Sequence, residues 1–161
     1  MLNPRIAIGV MGPDKKTSEI AATIIANELF PDQTTLIVLE PDGDFSFETQ
    51  QKIEQIFRRS GKSIWVLVGI CSDRHLAFLH TFTRNITLCI VKTAPHTSCF
   101  IEQALKRPNT FVIKKRGNLV DLRMQIQEAL EASGVLSSET HHPPFTAGNS
   151  RWLRLMRALV P

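Results

Sequence analysis

Residues 5–30 read RIAIGVMGPDKKTSEIAATIIANELF. Arg5 to Met11 is an Ile- and Val-rich run that closes on Gly12-Pro13-Asp14, the pattern of a buried strand ending in a turn. Thr17 to Phe30 follows with apolar residues at helical spacing. Thr17 or Ser18 can cap its start, and Pro31 stands just past its end. Strand, turn and helix in this order make one βα unit, and the chain goes on to repeat it.

Thr34 to Leu39 (TTLIVL) is a second strand, closed by Pro41-Asp42-Gly43-Asp44. Phe47 to Arg59 carries Ile53, Ile56 and Phe57 at helical spacing, with Gly61 beyond it. Ser63 to Ile70 (SIWVLVGI) is apolar on both faces, as a central parallel strand should be. A short helix or turn over Leu76 to Thr83 leads to a strand at Ile86 to Val91. A helix from Ser98 to Lys106 stops before Pro108, and Thr110 to Lys114 is the fifth strand. Asn118 caps a last helix reaching Ser133, with Leu119, Leu122, Ile126, Ala129 and Leu130 on one face and Gly134 at its end. Five strands alternating with helices predict a parallel sheet covered on both sides. That is a three-layer α/β sandwich of flavodoxin-like or Rossmann-like type, with expected strand order 2-1-3-4-5.

The character changes after Gly134. Residues 135–150 hold Ser137-Ser138, His141-His142, Pro143-Pro144 and Gly148 without periodicity and read as a linker. Residues 151–161 read as a short amphipathic helix, with Trp152, Leu155, Met156 and Leu159 on one face and Arg151, Arg154 and Arg157 on another. The expected organisation is a domain over 1–134, a linker over 135–150 and this helix.

The 161 residues suit one α/β domain, and 43% hydrophobic with 21% charged residues exclude a disordered or fibrous chain. The net charge of +4 divides evenly: three Arg against Glu139 in residues 137–161, and 16 against 14 in the rest. The tail is therefore the more basic part per residue. One tryptophan beside those arginines is a poor stacking platform, which argues against RNA. The longest apolar runs, such as Ile64 to Ile70, fall far short of the roughly 20 residues of a membrane helix. The N-terminus runs straight into a strand, so no secretory signal is expected. Three cysteines without paired spacing favour a reducing, cytoplasmic setting.

Ligands of open α/β sheets bind at the carboxyl ends of the strands. The first such end, Gly9 to Thr17, invites phosphate readings that make Gly12, Lys16 and Thr17 candidate cofactor-binding residues. Lys16-Thr17 is similar to the end of a Walker A loop, although Lys15 and Val10 stand where that loop has its glycines. The third end, Cys71-Ser72-Asp73-Arg74-His75, holds metal-ligand residue types. In an extended loop, alternate spacing would set Cys71, Asp73 and His75 on one side. Otherwise Asp73 serves as the cap of the next helix. The fourth end places His96 at a strand-to-helix junction, three residues before Cys99, where an imidazole can serve as ligand or base.

Two family resemblances rest on these residues. Thr17-Ser18-Glu19-Ile20-Ala21 is similar to the end of the flavodoxin phosphate loop, whose earlier Thr and Gly positions hold Asp14 and Lys15 here. That resemblance implies FMN or another nucleotide. Over residues 5 to 133 the arrangement resembles the endopeptidases that mature nickel–iron hydrogenases. In that family an acidic residue on the first helix binds the metal, and Glu19 matches it. The second acidic ligand, at the end of the third strand, falls at Gly69, with Asp73 four residues on. The family histidine precedes a helix and then a strand, as His96 does. The resemblance thus implies a metal at Glu19, Asp73 and His96 and a peptidase activity.

The first expectation for function is nevertheless a non-catalytic binding or assembly module. The tail has the build of a partner helix, an apolar stripe with flanking arginines on a tether. Its contact residues would be Arg151, Trp152, Arg154, Leu155, Arg157 and Leu159. The metal-dependent endopeptidase is the alternative, and an FMN- or nucleotide-binding protein a further one.

Overall fold

A computed structural model of the chain describes residues 3–40, 43–92, 99–114 and 118–134. His96, the linker and the C-terminal segment lie outside the described residues. The elements run β1 (Ile6–Met11), α1 (Lys15–Ile24), β2 (Thr34–Val38), α2 (Phe47–Ser60), β3 (Ile64–Val68), α3 (Asp73–His80), β4 (Ile86–Lys92), α4 (Cys99–Ala104), β5 (Thr110–Lys114) and α5 (Leu119–Ala132). The expected α/β class and all five strands are present.

The strands are all parallel and stand in the order β2-β3-β1-β4-β5. This corrects the expected order 2-1-3-4-5. Both orders put β2 and β5 at the edges, where their Thr and Lys residues belong. They differ only in which of β1 and β3 lies beside β2. Both are fully buried, so apolar content does not separate them. In the structure Ile8 of β1 lies between Val66 of β3 and Thr87 of β4.

Each side of the sheet carries its own core. On one side Ile8, Val10, Val66, Val68, Cys89 and Val91 pack under α1 and α5 through Ala21, Ile24, Leu122 and Ile126. On the other, Ala7, Met11, Trp65, Leu67, Leu88 and Ile90 pack under α2 and α3 through Ile53, Phe57, Leu76 and Leu79. There Trp65 stacks on Phe57 with centroids 4.6 Å apart.

Local signals set the helix ends. Asn118 Oδ1 accepts the Asp121 N–H at 2.8 Å, and Gly61 ends α2 at φ 67, in the left-handed region glycine favours. Two expected caps are corrected. Asp14, not Thr17 or Ser18, caps α1, which therefore begins at Lys15. Asp73 is the first residue of α3 rather than its cap, and Ser72 in the cap position makes no side-chain bond. α1 continues into a π-helical turn over Ile25–Leu29, where the Phe30 N–H reaches back to Ile25 O at 3.0 Å.

Candidate functional site: the β1–α1 loop and the groove between α1 and α5

The strand order puts β1 at the centre of the crossovers. α1 leaves β1 onto one face, while α3, which follows the neighbouring β3, packs on the other. The carboxyl end of β1 is thus the topological switch point where open α/β sheets hold their ligands. The loop found there is Gly12-Pro13-Asp14, the segment whose Gly12, Lys16 and Thr17 are the candidate cofactor residues.

This loop is closed on itself. Asp14 Oδ1 accepts the Thr17 N–H at 2.7 Å, and the Asp14 carbonyl accepts the Ser18 N–H at 3.2 Å and the Ser18 hydroxyl at 3.1 Å. Thr17 and Ser18 are buried. A Cβ on Gly12 would stand 2.5 Å from Ser18 Oγ, so only glycine lets the hydroxyl seat there. A phosphate cradle would offer free amides and a positive helix end. Here the Asp14 carboxylate already occupies one of those amides, that of Thr17. Lys15 reaches Glu40 at 3.4 Å across the surface, and Lys16 is exposed.

Below the loop, α1 and α5 enclose a groove of ≈ 360 Å³. Lys16 and Glu19 line its upper part, Ile20, Ile24 and Leu119 its apolar wall, and Glu28 and Arg123 its lower part. Two predicted site residues, Lys16 and Glu19, therefore share one concavity. Glu28 and Arg123 form a mostly buried ion pair between the π-helical turn and α5. Glu28 Oε2 and Arg123 Nε and Nη1 are buried without a partner among the described residues. Burial raises the Glu28 carboxyl above its ordinary value, against the pull of Arg123. Sequence reasoning missed this pair. Its members lie in the π-helical turn after α1 and in α5, and no local pattern links them.

The β3–α3 turn differs from the expected extended loop. Asp73 and His75 belong to α3, where residues two apart point in different directions rather than to one side. His75 is buried against Phe45, edge to face at 4.5 Å between centroids, and its Nδ1 accepts the Cys71 N–H at 3.0 Å. Burial, with Arg74 nearby, lowers the His75 pKa, so the imidazole is held neutral as a backbone acceptor. Cys71 is exposed, whereas Cys89 lies in the core with its thiol pushed up to about 12 by burial.

Glu19 on α1 and Asp73 on α3 belong to opposite faces of the sheet. Among the described residues, no three His, Cys, Asp or Glu side chains gather as a metal ion's ligands would. His96, Arg151, Trp152, Arg154, Leu155, Arg157 and Leu159 fall outside the described residues. Among those described, no helix is long and apolar enough to cross a membrane.

Fold and loop together define a doubly wound α/β protein with its switch point at β1. No protein-family profile matches the chain, and no curated protein matches it. Among solved structures it is similar to a de novo designed protein determined by solution NMR, at 19% identity and a TM-score of 0.45, over 85% of this chain and 98% of that one.

Proposed function

We propose that the chain is an α/β binding or assembly module of the cytoplasm that docks a protein partner through its basic amphipathic segment, residues 151–160. The observation that supports this reading is the self-closed β1–α1 loop. The position where a doubly wound sheet offers its ligand amides is filled by Asp14 and Ser18, which serve the fold. The chain's most distinctive segment places Arg151, Arg154 and Arg157 beside Trp152, Leu155 and Leu159. An apolar stripe with a cationic flank fits an apolar groove with an acidic rim on a partner.

The test compares the full chain with a variant carrying Trp152→Ser, Leu155→Ser and Leu159→Ser. Native mass spectrometry of each, purified from its own cells, reads stoichiometric partners. The expected result is a partner held by the unmodified chain and lost by the variant at an unchanged melting temperature. A variant that keeps the partner overturns the reading. So does one that melts well below the parent, because the segment would then be part of the core.

The metal-dependent endopeptidase ranks second. Glu19 in the α1–α5 groove supports it, but Asp73 stands on the other face of the sheet and would have to be replaced as a ligand. Elemental analysis of the same sample tests it. One nickel or zinc per chain, lost on Glu19→Ala, would favour the peptidase. An FMN or nucleotide ligand ranks third, since its phosphate would compete with the Asp14 carboxylate for the Thr17 amide.

A further inference from the structure

We infer that β2 is a self-association edge, through which two copies of this chain pair antiparallel about a two-fold axis at Leu36. The two edges of the sheet are treated differently. At β5, the Gln125 side chain accepts the Lys114 N–H at 2.8 Å and donates to the Lys114 carbonyl at 2.6 Å, closing the end of the free edge as a neighbouring strand would. Lys114 adds a charge there, a common guard against edge pairing. β2 has no such device. From Gln33 to Leu39 it carries no charge and no proline, and no side chain among the described residues bonds its outer backbone.

The register shows what is left open. Gln33 O accepts the Ile64 N–H, and the Leu39 N–H donates to Val68 O, so residues 33, 35, 37 and 39 face β3. Thr34, Leu36 and Val38 therefore present their N–H and C=O groups outward. All five β2 residues are only partly buried. Leu36 and Val38 sit at the margin of one core, and Ile37 and Leu39 at the margin of the other. Both cores thus reach a partly exposed margin at this strand.

A second copy suits this edge because it brings the same uncharged, proline-free and partly apolar strand to it. A two-fold axis at Leu36 pairs Leu36 with its own copy and Thr34 with Val38, each pair exchanging both hydrogen bonds. It also places Thr35 beside Ile37 on the other face, so the open margins of both cores meet their own copies. The acidic residues that would meet at the ends, Asp32 and Glu40, each have a lysine at hand: Lys62 Nζ on Asp32 O at 2.9 Å and Lys15 on Glu40.

Sedimentation equilibrium of the full chain across the micromolar range tests this, alongside Thr35→Lys and Val38→Pro. Thr35 is partly exposed, so the lysine charges the edge at little cost to the monomer. The proline removes an outward N–H. The expected result is a concentration-dependent dimer, weakened about tenfold or more by Thr35→Lys and abolished by Val38→Pro. Amide exchange gives an independent reading: the Leu36 and Val38 amides should gain protection with concentration while that of Ile37 does not change. A monomer at every concentration overturns the inference. So does a dimer that Thr35→Lys leaves intact, or whose Leu36 amide exchanges as fast as in the monomer. If Val38→Pro fails to fold, Thr35→Lys and the exchange pattern decide.

Discussion

Asp14 Oδ1 accepts the Thr17 N–H at 2.7 Å, and this bond caps α1 in the β1–α1 loop at the switch point of the sheet. The carboxylate satisfies an orphan donor and offsets the positive end of α1. Asp14→Ala should lower stability by about 1 kcal/mol, the usual cost of losing an N-cap, while Asp14→Asn should retain most of it. Urea unfolding of the three proteins measures this. In the same assay FMN and ATP should leave the unmodified protein's midpoint in place, because a ligand that bound the folded state would raise it.

Gly12 and Ser18 form a second coupled pair in that loop. Gly12→Ala places a methyl 2.5 Å from Ser18 Oγ and 3.3 Å from the Ser18 amide nitrogen. Such overpacking costs about 1–3 kcal/mol. Ser18→Ala leaves a smaller side chain at the point of conflict, so Gly12→Ala with Ser18→Ala should be less destabilised than the sum of the two single changes. A double-mutant cycle on urea midpoints checks it, and strict additivity would count against the contact.

These two pairs show where the sequence was legible. The patterns located all five strands and four of the described helices, and left α3 open as a short helix or turn. The exchange of β1 and β3 was not legible, because two equally apolar strands carry no mark of their neighbours. The cap was misplaced by three or four residues because Asp14, Thr17 and Ser18 are all good capping types, and only the backbone path selects among them. The same kind of slip changed the third strand end. α3 begins at Asp73 rather than near Leu76, which turns an alternate-spacing cluster into residues on different sides of a helix. Lys16 and Glu19 share the groove only because α1 begins at Lys15, whereas a helix read from Thr17 leaves Lys16 in the loop. Glu28 and Arg123 could not be placed together from sequence, since only tertiary packing joins them.

That buried pair gives a prediction with opposite signs. Glu28→Ala leaves the Arg123 guanidinium in the α1–α5 groove without its partner and should cost about 3 kcal/mol, less to the extent that water reaches the site. Replacing both residues by leucine should recover most of that loss, because burial already opposes the Glu28 charge and two of Arg123's nitrogens bond nothing among the described residues. Urea unfolding of the single and double variants at pH 7 decides. A double variant as unstable as the single would mean that the pair is a net stabiliser.

His75 makes stability depend on pH. Its imidazole is buried against Phe45, and its Nδ1 accepts the Cys71 N–H, a bond that only the unprotonated nitrogen can make. Burial, with Arg74 beside it, sets its pKa below the 6.5 expected of the unfolded chain. Between these two values the unfolded state binds more protons than the native state, so stability rises with pH across the window. The contribution is complete above about pH 6.5 and is lost as pH falls from there through the native value. His80 is lowered in the same direction by burial and Arg107, so both histidines feed the slope. His75→Gln keeps an acceptor for the Cys71 amide but does not titrate. The urea midpoint of this variant should fall less between pH 7 and pH 5 than that of the unmodified protein, and His75→Gln with His80→Gln should flatten the profile further. Parallel profiles for all three proteins would show that His75 is protonated as readily in the fold as outside it, and that the Cys71–His75 bond is not maintained in solution.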